Sequence, residues 1–254
     1  MSLAVDSLRV VLGGRPVVEG VSLHCPARSL VAVVGPNGAG KTSLLRALVG
    51  LVPSTGAIRL DDVELARLPS GERARRIAYL PQGHEAHWPL PARDIVALGR
   101  FPHGATDPAR LPPADARAVA DAMRLTGTEA LAERSVTALS GGERARVALA
   151  RVFAVQARLI LADEPTAALD PRHQLDVMRA MRNAAEAGAL VLAVTHDLGL
   201  AARFADRIVV MEAGRVAADG VPEEALSPEV LLRVFGIEAY RGVHRGQAVI
   251  VPWA

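Results

Sequence analysis

Gly35-Pro36-Asn37-Gly38-Ala39-Gly40-Lys41-Thr42 fits the spacing G-x-x-x-x-G-K-S/T, and the residues on both sides supply the context that spacing demands. Before it runs Leu30-Val31-Ala32-Val33-Val34, apolar, β-branched and too short for a helix, which predicts a buried strand. After it, Leu44, Leu45, Leu48 and Val49 recur at helical spacing until Gly50 and Pro53 close the helix. Strand, glycine loop and helix in that order make a phosphate cradle. The glycines let several backbone N–H groups turn inward, and the helix N-terminus adds positive partial charge. Lys41 reaches the outer phosphates, the Thr42 hydroxyl is placed to ligate Mg²⁺, and Ser43 stands beside it among the nucleotide-side candidates. A glycine-rich turn that merely precedes a helix would not need Lys-Thr in register. The loop reads as a nucleoside triphosphate site.

Such a loop needs a carboxylate in the metal shell and a group to activate water. Leu159-Ile160-Leu161-Ala162-Asp163-Glu164-Pro165 offers both at the end of an apolar strand. Asp163 is read as meeting the metal through water, and Glu164 as polarising the attacking water. Two acids starting an ordinary loop is the bland alternative. Thr195-His196-Asp197 ends the next apolar strand, residues 190–194, which is expected beside the strand carrying Glu164. On bare chemistry His196 is either a γ-phosphate contact or a surface residue at a strand terminus. Leu139-Ser140-Gly141-Gly142-Glu143 opens a helix, and Ser140 with Glu143 forms a capping box that needs no ligand. Two glycines at a helix start also leave bare N–H groups suited to an anion. The residues leave both readings standing.

In chain order, strands are expected at 8–12 and 21–23 and a hairpin-like region at 57–65. A polar helix at 70–76 and a strand at 77–80 follow, ended by Pro81, and Gln82 opens a loop. Helical patterns at 92–98 and 114–125 flank a connector, 101–113, whose four prolines predict a loop. Past the helix at 144–155 come a strand at 159–162, a helix at 172–187 and a strand at 190–194. Strands at 207–211 and 215–218, a helix at 228–235 and a strand at 248–251 finish the chain. Alternating strands and helices predict an α/β fold with a mainly parallel sheet, an antiparallel β edge and an inserted helical subdomain. The expected division is one domain, with a core at 1–82 and 159–254 and the helical subdomain at 83–158.

With 254 residues, half of them hydrophobic, the chain can bury a sizeable core. Its 29 Lys and Arg against 27 Asp and Glu argue against nucleic acid as the partner. Cys25 is the single cysteine, so a disulfide framework and a cysteine metal site are excluded, and its expected role is packing in a reducing compartment. Residues 1–10 carry Asp6 and Arg9 without a long apolar core, so no secretory signal is expected there. No apolar stretch approaches the ~20 residues of a membrane-spanning helix.

The order of phosphate loop, Gln82 loop, Ser140-Gly141-Gly142, Asp163-Glu164, Ala168-Leu169-Asp170 and His196 resembles the ATP-binding cassette ATPases across nearly the whole chain. The resemblance implies two chains paired head to tail with ATP between them. Lys41 and Thr42 of one would then face Ser140, Gly141 and Gly142 of the other. It implies Glu164 as general base, His196 as γ-phosphate sensor and Asp170 at the junction. Gln82 would join Mg²⁺ to the transport partner, making Thr42, Gln82 and Asp163 the metal-side residues. One position departs from the family: the residue expected to stack on adenine corresponds to Leu12, beside Val11. An aliphatic side chain gives apolar contact without stacking, so these residues admit GTP beside the default ATP.

Val96-Ala97-Leu98-Gly99-Arg100-Phe101-Pro102-His103 and the stretch from His173-Gln174 to Asp206 resemble the importers of iron chelates, haem and cobalamin. The implied protein is a bacterial importer's ATPase subunit. It would act as a homodimer at the cytoplasmic face of the membrane, on separate permease subunits and indirectly with a substrate-binding protein. An exporter ATPase or a non-transport cassette is the alternative; the single phosphate loop and the short insertion without sustained heptads disfavour the latter. His84, His87 and His103 form no ligand set and read as solvated or facing a membrane subunit. Trp88 reads as an interface anchor or a cap on the helical core, and Arg73, Arg75 and Arg76 as a solvated basic face.

Overall fold

The computed structural model describes residues 2–83 and 89–253. The expectations for His84, His87 and Trp88 fall outside the described residues.

In chain order the strands are β1 (Ser2–Leu12), β2 (Arg15–Pro26), β3 (Ser29–Val34), β4 (Thr55–Leu60), β5 (Val63–Glu64), β6 (Ile77–Leu80) and β7 (Leu159–Asp163). β8 (Leu190–Val194), β9 (Arg207–Glu212), β10 (Arg215–Gly220), β11 (Glu238–His244) and β12 (Gln247–Trp253) follow. The principal helices are α1 (Lys41–Val49), α2 (Ser70–Arg76), α3 (Ala92–Ala97), α4 (Pro113–Leu125), α5 (Gly141–Ala154), α6 (Pro171–Glu186) and α7 (Leu198–Phe204). The chain divides into two compact units, residues 1–68 with 190–254, and residues 69–189.

In the first unit β3 runs parallel to β8 on one side and to β9 on the other, and β10 closes antiparallel on β9. Every residue of β3 and β8 is buried, as continuous apolar runs in a parallel sheet require. A second, antiparallel sheet has the order β2-β1-β4-β5. Its long strands alternate buried and exposed residues, so one face meets the core. Ala32, Val34, Ile208 and Val210 pack with Leu198, Ala201, Leu226 and Ile250, carrying the core out to α7 and the β11–β12 hairpin. Arg207 grips both carboxylate oxygens of Asp219, at 2.5 and 2.7 Å, and donates to the His24 carbonyl oxygen at 2.7 Å.

In the second unit β6 runs parallel to β7. The helices α3, α4 and α5 pack on one another, and the helical segment read from the sequence, 83–158, lies within this unit. At their centre Arg100, 6% exposed, donates to Asp115 at 2.7 Å and to the Ala154 carbonyl oxygen at 2.7 Å. A buried charge is tolerable when paired and saturated with acceptors in this way.

Several sequence expectations shift. Residues 98–103 form a 3₁₀ helix containing Pro102, where the connector was expected to begin as a loop at 101. Its prolines stop α-helix but allow one tight turn, because Pro102 lacks only a donor. α7 and β11 were not anticipated from their residues. β11 reads Glu-Ala-Tyr-Arg-Gly-Val-His, which breaks the apolar alternation of a strand, and it is held by full antiparallel register with β12.

Candidate active site

The first unit holds the phosphate loop. Gly35 follows the last residue of β3 at φ +152°, and a Cβ there would fall on the Met211 carbonyl oxygen. Gly40 caps α1 at φ +95°, and a Cβ there would fall on the Val17 carbonyl oxygen. Both positions therefore need glycine for conformation and for space. Between them the Ala39 N–H donates to Pro36 O at 3.2 Å, and the Ala39 carbonyl accepts from Gly214 N at 3.1 Å. Asn37 and Gly38 stand exposed at the tip. Lys41 is 6% exposed, with Nζ donating to Gly35 O at 2.8 Å and Pro36 O at 2.9 Å. The ammonium thus lies back across the loop. Thr42 and Ser43 are half-buried in the first turn of α1, which contains no acidic residue to cancel its N-terminal charge. The cradle fits a polyphosphate.

Two further candidates belong to this unit. Leu12 is 37% exposed and Val11 45%, both beside the Gly13-Gly14 turn that joins β1 to β2. They offer an accessible apolar surface without an aromatic ring. His196 is exposed between the buried Thr195, whose N–H donates to Val33 O at 3.2 Å, and Asp197. Asp197 caps α7 by accepting from Leu200 N at 2.8 Å. The imidazole is presented from a fixed backbone.

The second unit holds the carboxylates. All of β7 is buried and Asp163 is 0% exposed at its end. The Tyr79 hydroxyl lies 3.5 Å from Asp163 Oδ2, at the limit of a hydrogen bond. Glu164 adopts φ +51°, a left-handed conformation uncommon outside glycine. Its Oε2 accepts from the Gln82 side-chain amide at 2.8 Å. The structure thus brings Gln82 and Glu164 together, while the Gln82 amide oxygen remains an acceptor of another kind. Asp170 is exposed and begins α6 without a side-chain cap.

At α5 the capping box is present in full: Ser140 Oγ accepts from Glu143 N at 3.3 Å, and Glu143 Oε2 accepts from Ser140 N at 2.8 Å. The Ser140 backbone N–H, first among several contacts, lowers the Glu143 carboxyl below its ordinary range, and Arg134 adds to this. Gly141 is exposed with open space where a Cβ would stand, so the helix start is bare backbone. The capping reading is met in the structure, with Gly141 exposed beside it. The contacts of Tyr79 and His173 escaped the sequence reading. A hydroxyl inside the apolar run Ile77-Ala78-Tyr79-Leu80 was the signal for the first, while His173 gave none. His103 is exposed, as expected, and also donates from Nε2 to Val155 O at 2.9 Å. Among the described residues no three His, Cys, Asp or Glu side chains cluster as a metal site.

A glycine phosphate loop after a buried parallel strand, with an acid pair ending another strand, defines a P-loop nucleoside triphosphatase. Residues 18–167 match the ABC transporter family, and the chain belongs to it and shares its ATP-hydrolysing activity. It is 48% identical over 257 residues to a protein named hemin import ATP-binding protein HmuV from Rhodococcus jostii, covering 99% of this chain and 86% of that one. A solved ABC transporter assigned to the metal-chelate type, inward-facing, superposes with TM-score 0.84 at 24% identity, covering 100% of this chain and 97% of that one. A dimeric ATP-binding cassette bound to ADP and phosphate superposes with TM-score 0.74 at 26% identity, covering 87% and 98%.

Proposed function

We propose that the chain is the ATP-hydrolysing subunit of a haem importer, two copies pairing head to tail on a separate membrane permease. What supports haem over a siderophore or cobalamin is the full-length similarity to a protein named for hemin import. Lys41 Nζ and the loop N–H groups of residues 35–43 bind the phosphates of ATP. Leu12 covers the base without stacking on it. Gly141 of the second copy offers its open backbone to the same nucleotide, with Ser140 and Gly142 on either side of it. His196 contacts the γ-phosphate, and Asp170 lies at the junction of the two copies.

The hydroxyl of Thr42, the carboxylate of Asp163 and the amide oxygen of Gln82 are all hard oxygen donors, the type Mg²⁺ takes. When bound, Mg²⁺ supplies charge neutralisation on the outer phosphates. Glu164 accepts the proton of the attacking water, and the observation that carries this role is its 2.8 Å bond from Gln82. That bond orients the carboxylate. Gln82, in turn, can pass any displacement of its loop to the base. Closure of the ATP-bridged pair moves the permease, and hydrolysis releases it. Residues 83–158 are the helical subdomain. No helix among the described residues is long and apolar enough to cross a membrane, and on this reading the chain works from the cytoplasmic face against its permease.

The test is growth and labelled haem uptake in the source cells with haem as sole iron supply, after deletion of this chain. Uptake is expected to collapse and to return with the wild-type chain only, while ferric siderophore and cobalamin uptake persist. Unchanged haem uptake would overturn the cargo.

A further inference from the structure

His173, two residues into α6, packs against the glycines that begin α5. A Cβ built on Gly142 would fall on the His173 ring, meeting its Cδ2 and, at 2.7 Å, its Cγ. Gly142 carries no positive φ, so it is glycine for space: the imidazole lies directly on its backbone. The ring is itself held. Arg146, one helical turn along α5, brings Nη1 within 2.6 Å of His173 Nδ1. A guanidinium only donates, so Nδ1 must be the acceptor and the ring proton sits on Nε2. Asp176 Oδ2 stands 3.8 Å from the same Nδ1, and Arg179 lies 3.6 Å from Asp176. Arg172 and Arg179 line the same cleft, about 380 Å³ in volume, with Arg146, His173 and Asp176.

We propose that His173 is a positioning residue for ATP hydrolysis: a flat ring, pinned by Arg146, that sets the height and orientation of the Gly141-Gly142 helix start. The proposal rests on the assignment of Ser140, Gly141 and Gly142 to nucleotide recognition. A helix start delivers its N–H groups along a fixed direction, and a displacement of about 1 Å in a positioning element can cost about 100-fold in rate. The capping box fixes residues 140 and 143 relative to each other but not the whole turn relative to α6. The ring supplies that second constraint. It does so through packing and one charge-assisted hydrogen bond, and it touches no reacting atom. The proposal leaves ATP binding to residues 35–43, so ATP affinity and turnover should separate.

The experiment uses the full-length chain with His173→Ala and His173→Asn, measuring steady-state phosphate release and, separately, binding of a fluorescent ATP analogue. His173→Ala removes plate and acceptor together; kcat should fall about tenfold or more, with analogue affinity within about twofold of wild type. Asn restores a flat group and offers Oδ1 to Arg146, so His173→Asn should recover most of the lost turnover. Wild-type turnover in His173→Ala overturns the proposal. So does equal loss in the Ala and Asn variants, or affinity falling in step with turnover, each the mark of general damage. A wild-type chain that neither binds nor hydrolyses ATP would instead count against the functional assignment itself.

Discussion

Glu164 holds a left-handed backbone at φ +51°, a strain of about 1–3 kcal/mol for a side chain of its kind. One residue in that conformation breaks the strand's alternation after Asp163, and the Glu164 carboxylate meets Gln82. Nothing in the letters Asp-Glu-Pro announces it. The acid pair was legible as chemistry, while its geometry was not, because backbone conformation at a strand end is set by what surrounds it. Lys41 was legible for the opposite reason: its spacing from Gly35 and Gly40 dictates the loop. Cys25 shows the same dependence on surroundings. Burial, above the opposing pull of Arg207, pushes its thiol up to about 11 from an ordinary value of 9.0. The folded state therefore prefers the neutral thiol. The stability this contributes is present below pH 9 and lost as pH rises through about 11. Wild type and Cys25→Ala should differ in how their urea midpoints change between pH 8 and pH 10.5, wild type falling more steeply. Parallel curves would show that the thiol does not couple to folding.

At the scale of elements, β7 and β8 were read almost to the residue, because an apolar run with nothing polar inside it has one economical place to go. α5 begins three residues before its expected start because the capping box draws Gly141 and Gly142 into the first turn. The 3₁₀ helix at 98–103 was missed because close approach of two elements leaves little trace in periodicity. Gly99 is its one trace: a Cβ there would fall on the Arg151 carbonyl oxygen of α5 and lie 3.0 Å from Ala154 Cβ. Gly99→Ala should accordingly cost about 1–3 kcal/mol, since backbone cannot move aside cheaply. Gly71→Ala is the matched control. It lies in α2 with open space around its Cβ position and no positive φ, so it should gain about 0.5–1 kcal/mol. Urea denaturation of the two variants checks both signs, and equal shifts would remove the packing argument.

At the scale of the molecule, each chain carries one phosphate loop and one glycine-started signature helix, and a head-to-tail pair would use both twice. On the proposed reading, the open backbone at Gly141 and the start of α1, whose first turn has no acidic residue, each meet one side of the nucleotide. Triphosphate is the natural link, carrying enough charge for both. Binding should therefore drive pairing, and hydrolysis should undo it by removing the bridging γ-phosphate. Glu164→Gln isolates the first step, because Gln keeps the size of the side chain and loses the basic oxygen. Turnover should fall by about 100-fold or more, the usual reach of a general base. Affinity for ATP should hold, since the role proposed for Glu164 is with water and the phosphate loop is intact. With hydrolysis stopped, the ATP-bound pair should persist, and the variant should elute at twice the monomer mass in ATP and at monomer mass in ADP. Wild-type turnover would remove Glu164 as the base. A monomer in saturating ATP with turnover lost would keep the base but remove the nucleotide as the bridge, leaving the permease to hold the two copies together.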